Sequence, residues 1–366
     1  MESNCPKARV LAYYLPQFHP IPENDKWWGK GFTEWTNVGK AKPLFPGHYQ
    51  PHIPADLGYY DLRVPETREA QAQMAREAGV EGFVYWHYWF GNGKQLLERP
   101  FKEVVASGSP DFPFALAWAN QTWSGTLHGL QKGETLIEQQ YGGVADYTAH
   151  FNAVLPALKD KRYITCEGKP MFMVYSPYEM ADVKDFIELW QSLALQNGLK
   201  GIYFVALCQN FDSDEDKQWF YDDMIGKGFD AINVINLQMP RSSIPLFRRI
   251  FLKLVRVLFR TPQLFYYDDR AFLPKICLNN DNVFPTLIPN WDHTPRSGKK
   301  GSVMLHSSPD NFGRTVRKTI ESLKDKPDDK RIVFIKSWNE WGEGNHLEPD
   351  LKYGLGWLNA LRDGLF

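Results

Sequence analysis

The chain has 366 residues and a formal net charge of −1, so it lacks the basic surplus typical of nucleic-acid-binding proteins. Its length allows one large hydrophobic core, and no run of 18 apolar residues predicts a membrane-spanning helix. Aromatic residues make up 15% of the sequence and many fall in predicted loops, where they suit the flat apolar faces of sugars.

Eight short apolar segments recur along the chain and predict strands. Several show no alternation of polar and apolar residues, as expected for parallel strands covered on both faces. The predicted strands are 9–15, 80–90, 113–120, 171–176, 202–210, 230–236, 283–291 and 331–341, and the clearest helices between them are 65–79, 146–160, 181–198 and 310–325. This alternation predicts an α/β fold, a (β/α)₈ TIM barrel formed by residues 1–366 as a single domain. A doubly wound sheet is the alternative, but no glycine fingerprint follows the first strand.

The four cysteines are scattered and form no CxxC pair, which favours a reducing compartment and predicts no metal site. The first 18 residues lack the apolar stretch of a signal peptide, so we expect a cytoplasmic protein, unless a leader has been removed. We expect no cofactor. The sequence does not indicate the oligomeric state.

The segment SWNEWGEGNHLEPD, residues 337–350, follows the last predicted strand. Catalytic groups of (β/α)₈ enzymes lie at such strand ends. Gly342 and Gly344 predict a turn, on which Glu340 and Glu343 would face the same side. Two neighbouring carboxylates can serve as acid and as base or nucleophile, as in retaining glycosidases. The alternative is a loop with solvated glutamates. We interpret Glu348 as structural.

Amide, imidazole and indole groups beside the other strand ends are candidates for contacts with sugar hydroxyls and rings. The predicted substrate-binding residues are Tyr14, His19, Trp35, Trp86, His87, Tyr88, Trp118, Asn120, Gln121, Trp123, Asn210, Trp291, Asp292, Arg296, Asn339 and Trp341. His87 fits a buried aromatic cluster equally well, and Asp292 fits a local salt bridge with Arg296. Trp27, Trp28 and Glu34 lie with Trp35 in an extended loop after the first strand, which we expect to form a wall of the groove.

Two charged segments allow more than one interpretation. Residues 212–216, DSDED, contain the D-x-D pattern of metal-dependent glycosyltransferases, but we favour a solvated acidic loop. A calcium loop is excluded because Lys217 replaces its glycine and Asp223 its closing glutamate. Residues 244–260, within a basic insertion near 241–266, predict an amphipathic helix. Its basic face is Arg249, Lys253, Arg256 and Arg260, and its apolar face is Phe247, Ile250, Leu254 and Leu258. We favour packing of that apolar face on the barrel; peripheral contact with an anionic membrane is the alternative.

Five segments carry a resemblance to a known family. They are AYYLPQFHPIPENDKWWGKGFTEWTNV (12–38), GFVYWHYWF (82–90), FALAWANQTW (114–123), NWDHTPR (290–296) and SWNEWGEGNHLEPD (337–350). The sequence resembles the WbsX-type proteins of bacterial polysaccharide gene clusters, a glycosyltransferase group. That group is similar to the endo-α-mannosidases of glycoside hydrolase family 99, through the barrel and the N-E-W-x-E core of the last segment.

The resemblance implies a neighbouring-group mechanism with a role for each carboxylate. Glu340 would be the base that helps the substrate 2-hydroxyl attack the anomeric carbon, giving a 1,2-anhydro sugar, and Glu343 would be the acid/base. We therefore predict a retaining, endo-acting glycoside hydrolase acting on a mannose-containing or related polysaccharide. One alternative is a glycosyltransferase of lipopolysaccharide, O-antigen or capsule biosynthesis. The other is a carbohydrate-binding protein without catalysis.

Overall fold

The computed structural model describes residues 5–125, 134–209, 211, 213–238 and 244–366. Within them, eight parallel strands form a closed barrel, which confirms the predicted (β/α)₈ fold. The barrel strands are β1 (Arg9–Tyr14), β2 (Gly82–Trp89), β3 (Phe114–Trp118), β4 (Lys169–Val174), β5 (Tyr203–Gln209), β6 (Ala231–Ile235), β7 (Val283–Leu287) and β8 (Ile332–Ile335).

The barrel closes through β1, which pairs with both the second and the last strand. Leu11 lies opposite Gly82 of β2, and Ala12 lies opposite Ile335 of β8. All eight residues of β2 are buried. The strands therefore show no alternation because side chains inside the barrel and side chains under the helices are both covered.

The helices cover the barrel and fill its longer connections. They are α1 (Pro22–Trp28), α2 (Glu34–Lys40), α3 (Pro65–Glu77), α4 (Arg99–Ser107), α5 (Gly143–Leu158), α6 (Val183–Gln196), α7 (Asp214–Gly226), α8 (Leu246–Phe259), α9 (Ile276–Asn279), α10 (Thr294–Ser297), α11 (Pro309–Ser322) and α12 (Gly356–Leu365). The predicted helix 65–79 begins at Pro65, as expected, and ends two residues early. Gly79, with φ of +84°, follows it in the left-handed region.

Two connections depart from a minimal barrel. The extended loop between β1 and α3 contains α1 and α2, and the connection between β6 and β7 contains α8. The acidic segment is not a loop throughout, because residues 214–216 form the first turn of α7. Ser213 caps that helix by accepting a hydrogen bond from the backbone N–H of Asp216, and acidic residues are favourable at such a helix start. Residue 212 lies outside the described part of the chain.

Candidate active site

The segment after β8 folds back on itself and presents two glutamates. Residues Asn339–Glu340 pair antiparallel with Asn345–His346, and a single 3₁₀ turn, Trp341–Glu343, joins them. Gly344 closes the turn with φ of +67°, a conformation that favours glycine. The turn that the two glycines predict is therefore present, and it directs Glu340 and Glu343 toward one guanidinium group.

That guanidinium belongs to Arg296, which lies in α10 after β7. Its Nη2 donates to Oε1 of Glu340 at 2.9 Å, and its Nη1 donates to Oε1 of Glu343 at 2.7 Å. Its Nε donates to Oε1 of Glu34, from α2, at 2.9 Å. Burial alone would lower the pKa of Arg296, but the three carboxylates raise it well above its usual value. The residues that follow β1, β7 and β8 thus meet at one permanently charged group.

Lys336, the residue directly after β8, adds a second cation. Its Nζ lies 3.3 Å from Oε2 of Glu343 and 4.0 Å from Oε2 of Glu340. Burial works to raise the pKa of Glu343, but the charges of Lys336 and Arg296 hold it below its usual range. Burial, together with the charge of Glu343, raises the pKa of Glu340. With these contacts the carboxylate charge rests on Glu343, and Glu340 more readily holds a proton.

Glu343 and Lys336 lie on the wall of a cleft at the carboxyl ends of the barrel strands. The cleft has a volume of about 870 Å³, within the range of ligand-binding sites. Residues that follow five strands, β4 to β8, contribute to it. Its polar and aromatic lining includes Tyr175, Gln209, Asn236, Trp291, Lys336 and Glu343. This mixture can bind hydroxyl groups and a sugar face while a carboxylate reaches the bound ligand.

Four of the sequence-predicted residues lie at the cleft or beside the charged cluster. Arg296 is the centre of the charged cluster. The ring centroid of Trp291 lies 5.8 Å from Nζ of Lys336. The ring centroid of Trp86 lies 5.9 Å from the same Nζ. Burial raises the pKa of the Tyr88 hydroxyl, and the nearby charge of Glu340 raises it further. These four residues, Lys336 and the two glutamates form the candidate active site.

Several other predicted residues lie in the interior, with each side chain bonded to an internal partner. Their hydrogen bonds are Tyr14 Oη to Gln71, Trp118 Nε1 to the Trp89 carbonyl, Asn339 to both backbone groups of Leu15, Trp341 Nε1 to Glu348, and His87 Nε2 to His150 Nε2. Burial lowers the pKa of His87 to about 3, so this histidine is neutral. The structure does not bring these five side chains to the cleft.

The predicted amides after β3 hold two loops together. Asn120 donates to the Ser176 carbonyl at 2.8 Å and accepts from the Ser176 N–H at 2.8 Å, while Gln121 donates to the Ser176 hydroxyl at 2.9 Å. Trp123 packs edge-on against Tyr88 at 5.1 Å between ring centroids. These contacts position the loops after β3 and β4. Predicted residue Asn210 lies outside the described residues.

The remaining predicted residues support the loops around the site. His19 is buried with Nδ1 2.9 Å from the Pro16 carbonyl, and the half-buried Trp35 donates to the Tyr60 carbonyl at 2.8 Å. The sequence suggested a salt bridge between Asp292 and Arg296, but the structure does not form it. Oδ2 of Asp292 lies 2.7 Å from Nε2 of His48, and Arg296 contacts three glutamates instead.

One buried group among the described residues has the geometry to hold a metal ion. It consists of His52, His346 and Asp350, whose ligand atoms lie within 4.8 Å of one another. His52 Nδ1 lies 2.9 Å from His346 Nε2, so the two rings share a hydrogen bond. His346 and Asp350 are four residues apart, but His52 lies 294 residues from His346, so the sequence did not indicate this group.

Sequence reasoning missed Lys336 and did not foresee the contact of Glu34 with Arg296. Lys336 carries a detectable signal, since it is a cation placed directly at the end of the last barrel strand, three residues before the N-E-W-x-E core. Glu34 carries no such signal. Its contact with Arg296 joins positions 262 residues apart, and only the closed barrel brings the two together.

Two solved structures with a similar fold are a glycoside hydrolase-like protein and a glycoside hydrolase. A glycoside hydrolase-like protein superposes with a TM-score of 0.62 at 15% identity, covering 100% of this chain and 95% of that chain. The family 99 endo-α-mannosidase from Bacteroides thetaiotaomicron, in complex with Bis-Tris propane, superposes with a TM-score of 0.58 at 12% identity, covering 98% and 96%. These likenesses show the barrel fold.

Sequence comparisons agree with the resemblance carried by the five segments. Two proteins named WxcX, from two strains of Xanthomonas campestris pv. campestris, are each 36% identical to this chain over 359 residues. The match covers 98% of this chain and 50% of each relative, so the chain spans about half the length of the curated relatives it matches. The sequence model described as Glycosyltransferase WbsX matches residues 10–361. Because that match extends over nearly the whole chain, the chain belongs to the WbsX glycosyltransferase family.

Proposed function

We propose that the chain is a carbohydrate-active enzyme that cleaves or transfers a glycosidic bond with retention, through Glu340 and Glu343. One observation carries the proposal: the two carboxylates share the guanidinium of Arg296, and their pKa values are displaced in opposite directions. Two carboxyl groups whose environments separate their proton affinities are suited to acid–base work at one bond. Glu343 also lies on the wall of the cleft.

The charges around the two glutamates affect which of them can act as the acid and which as the base. The resemblance implies Glu340 as base and Glu343 as acid, whereas the neighbouring cations hold the charge on Glu343 and favour a proton on Glu340. The implied order therefore requires Glu343 to gain a proton and Glu340 to lose one as substrate binds. The proton count of the pair is unchanged by this exchange. A substrate that separates Lys336 from Glu343 would favour it, because it removes the cation that keeps Glu343 ionised.

The substrate that we propose is an internal linkage of a mannose-containing or related polysaccharide. The Bacteroides protein that shares the barrel fold is an endo-α-mannosidase, which supports this class. A cleft of about 870 Å³, open at the barrel mouth, has room for more than one sugar residue. The family description favours a second candidate, a glycosyltransferase that adds sugars to a growing polysaccharide.

The test is incubation of the pure protein with α-mannans and bacterial O-polysaccharides, without any sugar nucleotide, with products read by mass spectrometry. Glu340→Gln and Glu343→Gln run alongside, with the exposed Glu188→Gln as matched control. We expect oligosaccharide release by the wild type and by Glu188→Gln, and a loss of about 10²–10⁴-fold in the two site variants.

Three other results would redirect the proposal. Sugar transfer that requires an added sugar nucleotide would establish the glycosyltransferase. Full activity in both site variants would refute the carboxylate pair. Polysaccharide binding in a titration calorimeter that survives both substitutions, without any turnover in the wild type, would establish a carbohydrate-binding protein.

A further inference from the structure

Helix α8 lies on the surface with its apolar side chains exposed. None of its described residues is buried, and Phe247, Ile250, Phe251, Leu254 and Leu258 are between 51% and 75% exposed. The interpretation that we favoured from the sequence, an apolar face packed on the barrel, is therefore not what the structure shows. A contiguous apolar face of this kind on an exposed helix marks an interaction surface.

The helix attaches to the rest of the protein by a different side. Leu252 and Val255 are its two half-buried residues, and the guanidinium carbon of Arg248 lies 4.3 Å from the centroid of the Tyr266 ring. With 3.6 residues per turn, these three positions share one side of the helix, and Ile250 and Leu254 fall away from it. The exposed apolar face thus points outward and is not a gap in the packing.

A strip of positive charge runs beside the apolar face. It consists of Arg249, Lys253, Arg256 and Arg260, all exposed, and the sequence contains no Asp or Glu from residue 241 to residue 267. No carboxylate of this segment therefore neutralises the strip. An apolar face flanked by Lys and Arg is the pattern of helices that lie in the headgroup region of an anionic bilayer. Each basic residue adds attraction to the negative lipid surface.

We propose that α8 docks the protein on the surface of an anionic lipid bilayer. Phe247, Phe251 and Leu258 enter the boundary between headgroups and acyl chains, and the basic strip contacts lipid phosphates. Among the described residues no helix has the length and apolarity needed to cross a membrane, so the helix lies in the plane of the surface. The proposal does not rest on the catalytic assignment.

The connection that contains α8 contributes to the wall of the cleft on both sides of the helix in the sequence. It supplies Leu237 and Gln238 before the helix, and Arg270 and Lys275 after it, to the cleft wall. We therefore infer that docking through α8 turns the cleft toward the lipid headgroups. Such a position suits a glycan that is attached to a membrane lipid, an extension that rests on the proposed function.

The test is co-sedimentation of the whole protein with vesicles of phosphatidylcholine alone and of an equal mixture of phosphatidylcholine and phosphatidylglycerol. The first variant reverses the strip: Arg249→Glu, Lys253→Glu, Arg256→Glu and Arg260→Glu. Its matched control reverses four exposed lysines elsewhere: Lys159→Glu, Lys161→Glu, Lys184→Glu and Lys200→Glu. The second variant replaces Phe247, Phe251 and Leu258 by Ser. Circular dichroism checks that each variant is folded, as expected since α8 has no buried residue.

We expect the wild type and the control to sediment with the mixed vesicles and not with phosphatidylcholine alone. We expect both α8 variants to bind at least tenfold more weakly. Equal sedimentation of the wild type and the strip-reversed variant would overturn the proposal, as would no sedimentation of the wild type. Light scattering supplies a further result that would overturn it: a wild-type dimer that the Ser variant converts to a monomer would show that a second copy covers this face.

Discussion

Gly342 lies directly against Glu34: a β-carbon on residue 342 would be 1.9 Å from Oε1 of Glu34 and 2.9 Å from Nε of Arg296. Atoms cannot approach that closely, so only glycine at this position lets the carboxylate of α2 reach the guanidinium. The turn after β8 and the extended loop after β1 are therefore fitted to each other at the candidate site.

Replacement of Gly342 by Ala should lower activity by about tenfold to a hundredfold, because a displacement of about 1 Å at an active site costs this much. The measurement is oligosaccharide release per unit of folded protein. The matched control is Gly39→Ala in α2, where a new β-carbon would meet no atom within 4 Å. Equal activity in the two variants would show that the fit is not required.

Replacement of Arg296 by Met should reduce the free energy of unfolding by about 3–5 kcal/mol, because it removes the cation that three buried carboxylates share. Urea denaturation measures the change. Arg63→Met is the control, since Arg63 pairs with Asp61 at the surface, where such a pair contributes at most about 1 kcal/mol. Combining Arg296→Met with Glu34→Gln should recover part of the loss, because one of the three acids is then neutral. A loss no larger than that of the control would contradict this account.

Replacement of Lys336 by Met should raise the pKa of Glu343, because it removes the nearby charge that lowers this pKa most. In the free enzyme Glu343 has the lower pKa of the two glutamates, so its titration sets the acidic limb of kcat/KM. That limb should move upward by about 1–3 pH units. A profile identical to that of the wild type would show that Lys336 does not control this carboxyl.

Glu348 should make stability depend on pH near neutrality. Burial raises its pKa to about 7, although hydrogen bonds from Trp341, Gln71 and Tyr60 oppose the rise. Because its folded pKa lies above the ordinary value of 4.5, the folded state binds the proton more tightly. The stability that this group contributes is full below about pH 4.5 and is lost as pH rises through about 7.

The comparison with Glu348→Gln isolates this effect, since the buried histidines titrate alike in both proteins. Between about pH 4.5 and 7, the unfolding free energy of the wild type should fall relative to that of the variant. The fall should reach about 3 kcal/mol. Urea denaturation at pH 5 and pH 8 measures it. A difference that does not change with pH would show that Glu348 does not titrate in this range.

The sequence predicted the barrel because its eight strands and the helices between them carry signals within short segments. β2 is apolar except for His87, and Pro65 and Gly79 bracket α3. The turn with Glu340 and Glu343 was equally accessible, since two glycines mark it. What a single sequence could not show is which aromatic residues point into the cleft. Trp341 and Trp291 each have an acidic residue next to them in the sequence. In the structure, however, Trp341 stacks on His346 in the interior and Trp291 lines the cleft.

The contacts of Arg296 could not be predicted from the sequence either. Asp292 is the nearest acid in sequence, but the barrel brings Glu34, Glu340 and Glu343 to the guanidinium from more distant positions. Such a choice depends on the closure of the sheet and leaves no local pattern. The exposure of the apolar face of α8 could not be predicted either. An amphipathic period indicates a helix, but it does not show whether the rest of the protein covers the apolar face of that helix.

Closure of the barrel through β1 and β8 has a consequence for synthesis. The ribosome makes β1 first, and its partner β8 begins only at Ile332. Until then one edge of β1 offers unpaired backbone groups, which can recruit other nascent chains. Ribosome-bound chains that end before Ile332 should therefore need a chaperone to stay in solution. The site and the protection of that edge arise together, when the final strand is added.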